Sequence, residues 1–229
     1  MADFIKLKIH TGNEVYHSTN NGNPHFRNGE HMNRDILICG VGGQGTVLAS
    51  KLIASAATAC GETVHSAETI GMAQRGGSVT SHVRIGRDAF SPLIPSGSAD
   101  LILAFEPSEA VRNLPYLKPD GVVLVNRVPV KPTTESLNDT GYDGTEMLDY
   151  LQSKCRCLII DAGQLCAPFG STRYFNVAIL GVATGADVLG IEADVILQEI
   201  RKRVPARFVE NNIAAFRTGM QMGGAYAAK

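Results

Sequence analysis

Tryptophan is absent from this chain of 229 residues, and so is any C-x-x-C pair. Neither sign of charge dominates, with 21 Lys+Arg against 22 Asp+Glu and a formal net charge of −1. Neutralising phosphates needs a basic face, so a nucleic acid is not expected as a main partner. No run of about 18 or more apolar residues occurs, and no membrane span is expected. The five cysteines, Cys39, Cys60, Cys155, Cys157 and Cys166, are odd in number. No secretory segment with a basic start and an apolar block precedes them. A disulfide framework is therefore not expected, and a reducing, cytoplasmic setting is. Cys155 and Cys157 form a C-x-C that strand alternation places on one face; a metal pair and a plain strand edge are the two readings. The tight four-thiolate run of an iron–sulfur cluster is missing. Missing too are a Walker A lysine motif, a G-x-S-x-G elbow, an H-E-x-x-H helix and a Gly-Asp-Gly. No metal site is assigned, and no tightly bound cofactor is expected on this chain.

What is present is a globular composition, 44% hydrophobic and 19% charged, with 24 glycines that point to tight turns and close backbone approach. Residues 1–32 stand apart. They are rich in Asn, Gly, His and Thr and read as an N-terminal extension or leader, with one weak strand at Phe4–Ile9. The pair His31-Met32 fits a cloning junction or an internal start. Residues 33–229 read as a single domain.

From Asp35 strands and helices alternate. Ile36–Cys39 is a short apolar run of the kind a buried parallel strand shows. It enters Gly40-Val41-Gly42-Gly43-Gln44-Gly45, and a helix follows until Gly61. Thr63–His65 starts a second strand. Val79, Ser81, Val83 and Ile85 alternate with Thr80, His82 and Arg84, a period-2 strand with His82 on its polar phase. Leu101–Phe105 is another buried run, and Pro107 opens a helix at its first position. Lys118-Pro119-Asp120-Gly121 reads as a turn before the strand Val122–Val125. Residues 131–146 read as a polar surface excursion, and Cys157–Ile160 as the last clear strand. The C-terminal third is helical. Ala178, Gly181 and Gly185 lie about a turn apart, which fits close packing on the sheet or contact with another subunit. Glu199 and Arg203 read as a solvated i, i+4 pair, and Val209, Ile213, Phe216 and Met220 as a core stripe. The expected fold is α/β: a Rossmann-like, doubly wound, mostly parallel sheet with C-terminal helices.

The strongest local signal is Gly40-x-Gly42-x-x-Gly45 between a strand and a helix, the context of a dinucleotide fingerprint. Glycines admit a pyrophosphate, and the helix start supplies N–H groups and a positive dipole end. Glu68 is the candidate acidic residue for a ribose, although it falls past the expected end of the second strand. A tight strand–helix turn without ligand remains the alternative. In Gly71-Met72-Ala73-Gln74-Arg75-Gly76-Gly77-Ser78, Arg75 suits bidentate contact with a carboxylate or phosphate, or is simply solvated. Glu106-Pro107 and Asn126-Arg127 fall at strand ends, where such sheets bind ligands.

These residues together resemble a known family. The runs GVGGQG at 40–45, GMAQRGGSVTSHVRIG at 71–86 and SPLIPSGSADLILAFEPSEAVRNLPYLKPDGVVLVN at 91–126 are similar to the gamma-type module of 2-oxoacid:ferredoxin oxidoreductases. MAQRGGSV and SHVRIG look most like the indolepyruvate type, and Arg173-Tyr174-Phe175-Asn176 before a glycine-rich helix also fits. The resemblance covers roughly residues 34–220 and leaves out 1–32. It implies a subunit inactive alone, in a complex that oxidatively decarboxylates a 2-oxoacid with CoA to acyl-CoA, carbon dioxide and reduced ferredoxin. Indolepyruvate and related aryl pyruvates are the implied substrates. Thiamine diphosphate and iron–sulfur clusters are implied on a larger partner subunit. On this resemblance Gly42, Gly43, Gln44 and Gly45 line a phosphate-accepting or partner-facing turn, while Gln74 and Arg75 face the shared cleft and contact substrate carboxylate or CoA. A second copy of the chain is a further candidate partner. The rival readings are a free-standing NAD(P)-binding reductase, a non-catalytic nucleotide- or CoA-binding module, and a purely structural subunit.

Overall fold

The computed structural model describes residues 32–70, 76–130 and 141–227. Residues 1–31 of the expected extension, Gln74 and Arg75, and residues 131–140 of the expected excursion lie outside the described residues.

Among the described residues one sheet has six strands, in the order β2-β3-β1-β4-β5-β6. β1 (Arg34–Val41), β4 (Ala99–Ala104), β5 (Leu117–Asn126) and β6 (Arg156–Ile160) run parallel. α1 (Thr46–Ala59), α2 (Pro107–Asn113) and α3 (Thr145–Lys154) connect elements along the sheet. β2 (Val64–Ile70) and β3 (Ser78–Ile85) pair antiparallel, and β3 pairs antiparallel with β1, setting Asp35 opposite Arg84 at 2.8 Å. The expected mostly parallel α/β sheet is therefore present, with β3 wedged between β2 and β1 as its antiparallel member.

Strand alternation divides the core into two layers. Ile36, Ile38, Leu101, Leu103 and Leu124 face α1 and the C-terminal helices α5 (Phe175–Gly185), α6 (Ala193–Arg203) and α7 (Ala206–Ala227). Leu37, Cys39, Ile102, Val123 and Val125 face α2 and α3. The short α4 (Ala162–Cys166) follows β6. α5 is buried from Phe175 to Ala183 and apolar there except for Asn176, the pattern of a helix enclosed by other elements. None of the described helices is long and apolar enough to cross a membrane.

Several local expectations are corrected. The small-residue stripe of α5 meets α7: a Cβ on Gly181 would run into the Phe216 carbonyl, and one on Gly185 into that of Met220. Gly219 and Gly223 of α7 approach the Ala178 and Val182 carbonyls in the same way. The stripe thus serves contact between two helices of one chain. Glu199 is not solvated but only 5% exposed, and Lys202 and Arg203 donate to it at 2.7 and 3.2 Å. β5 begins at Leu117, before the expected turn. The register passes from Ala99↔Leu117 to Leu101↔Val122, so Lys118–Gly121 bulge from the strand, and Lys118 pairs with Asp100 at 2.5 Å. Residues 145 and 146 already belong to α3.

His82 is also displaced from its expected polar surface. Ile94 and Tyr116 cover the face of β3 that carries His82, and Ser81 and His82 are 0% and 5% exposed. The Ile94 amide donates to His82 Nδ1 at 3.2 Å, and the ring packs edge-on against Tyr116. Burial lowers its pKa from the ordinary 6.5. The unfolded chain therefore takes up this proton at higher pH than the folded one. The contribution of neutral His82 to stability is full above 6.5 and falls as pH drops from there toward the lowered folded value. Urea titrations from pH 7.5 to 5 are expected to show less loss of stability on acidification in His82→Gln than in wild type.

Candidate functional site

α1 leaves the sheet on one face and α2 on the other, so the C-terminal ends of β1 and β4 flank a crevice at the switch in connection direction. Gly40 closes the end of β1. A Cβ there would lie 2.7 Å from Gln44 Oε1 and 2.8 Å from Phe105 Cβ. The Gln44 side chain folds back over this point. Its Oε1 accepts from the Val41 amide at 2.7 Å, and its Nε2 donates to the Phe105 carbonyl at 3.0 Å. The same carbonyl accepts from Asn126 Nδ2 at 3.2 Å, while Asn126 Oδ1 accepts from the Ala162 amide at 3.2 Å. Gln44 and Asn126 thereby tie the ends of β1, β4 and β5 to the chain leaving β6.

The turn itself is backbone. Gly43 and Gly45 hold φ of 103° and 85°, and the space where a Gly43 side chain would project is open. α1 starts at Thr46 without a side-chain cap. The amides of Gly45, Thr46 and Val47 find no acceptor among the described residues, whereas those of Leu48 and Ala49 bond to the Gly45 carbonyl. Free first-turn amides with the helix dipole behind them suit an anion. Phe105 and Phe175 pack edge-to-face beneath, with centroids 5.6 Å apart.

A second glycine segment ends at this turn. The Gly42 amide donates to the Gly77 carbonyl at 2.9 Å. Next to it Ser78 donates to Glu109 at 2.6 Å. Gln74 and Arg75, outside the described residues, precede this anchored point by two or three positions.

Other expected site residues fall elsewhere. Glu68 lies within β2, not past its end, and β2 is separated from β1 by β3. Its carboxylate faces the flank of α1, 3.4 Å from Ser50 Oγ. The inserted strand thus keeps Glu68 from the place beside β1 where a ribose-binding acid belongs. Glu106 turns inward: it caps α2 by accepting from the Glu109 amide at 3.0 Å and also accepts from Ser108 and Tyr142 hydroxyls at 2.5 and 2.6 Å. Burial, reinforced by Glu106, pushes the Tyr142 phenol up to about 12. Arg127 is exposed. The Cys39 thiol is pushed well above its ordinary value, first by burial and then by Glu109 and Glu106, so it stays protonated and is no nucleophile. Cys155 ends α3, with its thiol 3.3 Å from the Leu151 carbonyl, and Cys157 lies in β6 with its thiol pushed up to about 12 by burial. Among the described residues no group of three or more His, Cys, Asp or Glu is arranged to hold a metal. The pattern Glu106-Pro107-x-Glu109 carried a helix-start signal for the capping carboxylate; nothing local in the sequence announced the Tyr142 contact.

A family profile described as pyruvate ferredoxin/flavodoxin oxidoreductase matches residues 35–222. The chain is 36% identical over 190 residues to a Pyrococcus horikoshii protein named indolepyruvate oxidoreductase subunit IorB, spanning 82% of this chain and 94% of that one. The keto/oxoacid ferredoxin oxidoreductase gamma subunit of Geobacter sulfurreducens shares the fold with a TM-score of 0.61 at 24% identity, over 84% of this chain and 99% of that one. A 2-oxoglutarate:ferredoxin oxidoreductase from Magnetococcus marinus, solved with 2-oxoglutarate, coenzyme A and succinyl-CoA bound, gives a TM-score of 0.64 at 19% identity, over 86% of this chain and 32% of that one.

Proposed function

The chain belongs to the pyruvate ferredoxin/flavodoxin oxidoreductase family, and on that footing we propose that it forms the coenzyme-facing wall of an aryl-pyruvate enzyme whose redox chemistry resides on a larger subunit. It is a subunit of a 2-oxoacid:ferredoxin oxidoreductase. The proposed reaction converts indolepyruvate or a related aryl pyruvate and CoA to acyl-CoA and carbon dioxide, with electrons passing to ferredoxin. Thiamine diphosphate and iron–sulfur clusters on the partner supply the decarboxylation and electron transfer. Residues 33–229 act as one module in this reading, and 1–32 take no part. The support for an aryl substrate is the similarity to the Pyrococcus subunit, whose name carries indolepyruvate.

The observation that carries the proposal is the junction of the two glycine segments at an uncapped helix start, made by the bond from the Gly42 amide to the Gly77 carbonyl. Gly42, Gly43 and Gly45 open the backbone to a CoA phosphate, and the first amides of α1 donate to it. Gln74 and Arg75, which precede Gly77 in the sequence, are assigned to the same site in this reading, Arg75 to pair with substrate carboxylate or CoA phosphate. Gln44 holds the turn in place from behind. The chain's contribution is binding and orientation.

Arg75→Ala in the assembled enzyme is expected to raise the KM of CoA or of the oxoacid about tenfold to a hundredfold, the range of one charge-assisted hydrogen bond. Normal turnover with both KM values unchanged removes Arg75 from the site.

A further inference from the structure

We infer that Asn176 is a ligand-contacting residue of the glycine-turn site, its carboxamide hydrogen-bonding bound CoA beside the phosphate at the start of α1; this rests on the coenzyme reading above. Asn176 stands in the first turn of α5 and is 7% exposed. Its neighbours Phe175, Val177, Ala178 and Ile179 are buried apolar residues. The carboxamide presses on the residue that begins α1: a Cβ on Gly45 would lie 2.5 Å from Asn176 Nδ2. It therefore borders the unbonded amides of Gly45, Thr46 and Val47.

Among the described residues no hydrogen bond accounts for the side chain, and Asn176 Oδ1 is buried without a partner there. The cap position of α5 is Tyr174, with no side-chain cap bond, so Asn176 does not cap its own helix. The other buried asparagines are all engaged. Asn113 donates to the Glu109 carbonyl at 2.8 Å, Asn212 to the Phe208 carbonyl at 2.8 Å, and Asn126 to the Phe105 carbonyl at 3.2 Å. A buried, unpaired carboxamide is costly and contributes nothing to the fold through hydrogen bonding. Its Nδ2 end lies against Gly45 and adds a side-chain donor beside the first amides of α1. CoA presents phosphate oxygens, which accept from both kinds of donor.

The test uses the assembled complex and CoA itself. Isothermal titration calorimetry gives the CoA Kd, ferredoxin reduction gives the KM values, and thermal melts of the ligand-free complex give Tm. Asn176→Ala and Asn176→Leu are expected to raise the CoA Kd and KM roughly three- to tenfold. They should shift the indolepyruvate KM by less than about twofold and leave the ligand-free Tm no lower than wild type, because no hydrogen bond is lost. An unchanged CoA Kd with a lowered Tm, or failure of both variants to fold, overturns the inference in favour of a packing role. Gly43→Ala separates the two levels of the argument. If it weakens CoA binding while the Asn176 variants do not, the coenzyme reading stands and Asn176 is excluded. If neither substitution weakens CoA binding, the glycine turn is not the coenzyme site and both fall.

Discussion

Replacing Gly181 by alanine is expected to lower the stability of the chain by about 3 kcal/mol, at the upper end of overpacking costs, and its Tm by roughly 6–12 °C for a chain of this size. The added methyl would enter the Phe216 carbonyl, which is backbone of α7 and cannot rotate away. Relief requires the two helices to separate. Separation is resisted at three further places, since Gly185, Gly219 and Gly223 bring the same backbones into contact. α5 also carries Phe175, which floors the crevice against Phe105, so the loss should extend to activity. Gly224→Ala is the internal control. That position is in open space on α7, and alanine there should raise stability by about 0.5–1 kcal/mol through helix propensity. Equal effects at Gly181 and Gly224, read by differential scanning calorimetry, would contradict the packing described here.

Gln44→Ala is expected to cut kcat/KM for CoA about tenfold to a hundredfold in the assembled enzyme, the scale on which misplacement of a binding group by about 1 Å is felt. Removing the side chain deletes the bonds to the Val41 amide and the Phe105 carbonyl together. It also leaves an unfilled space over Gly40. The turn then loses its tie to β4 and can no longer hold the start of α1 at a fixed distance from the end of the neighbouring strand. Gln44→Glu retains the acceptor for Val41 and loses the donor to Phe105, turning a carboxylate toward a carbonyl. It should therefore restore little. Steady-state kinetics with CoA varied at saturating oxoacid measures the effect, and a change confined to the oxoacid KM would place Gln44 outside the coenzyme wall.

Much of the frame was legible because it is written in local patterns. Ile36–Cys39 and Leu101–Ala104 are unbroken apolar runs and became central parallel strands. Pro107 opened α2, and the Val209–Met220 stripe became the buried face of α7. Other features depend on which element comes to lie beside which, and periodicity is silent there. Alternation marked β3 as a strand with one polar face, but Ile94 and Tyr116 close over that face and bury His82. Insertion of β3 between β2 and β1 carries Glu68 away from the end of β1. Glu199 looked solvated because its partners lie in its own helix; its burial comes from α6 packing within the C-terminal layer. At the site, the glycines of the turn were readable from their spacing. That Gln44 folds back onto the strands, and that Asn176 reaches Gly45 across more than a hundred residues, are tertiary facts.

On the proposed function this chain shapes a site and leaves the redox chemistry to its partner. The direct measurement is indolepyruvate- and CoA-dependent ferredoxin reduction by the purified chain, by the larger subunit, and by the two combined. The chain alone is expected to be colourless and without turnover, and turnover to return on mixing. Conversion of a keto acid by the chain unaided, or flavin, thiamine or an iron–sulfur cluster bound to it in isolation, would contradict it.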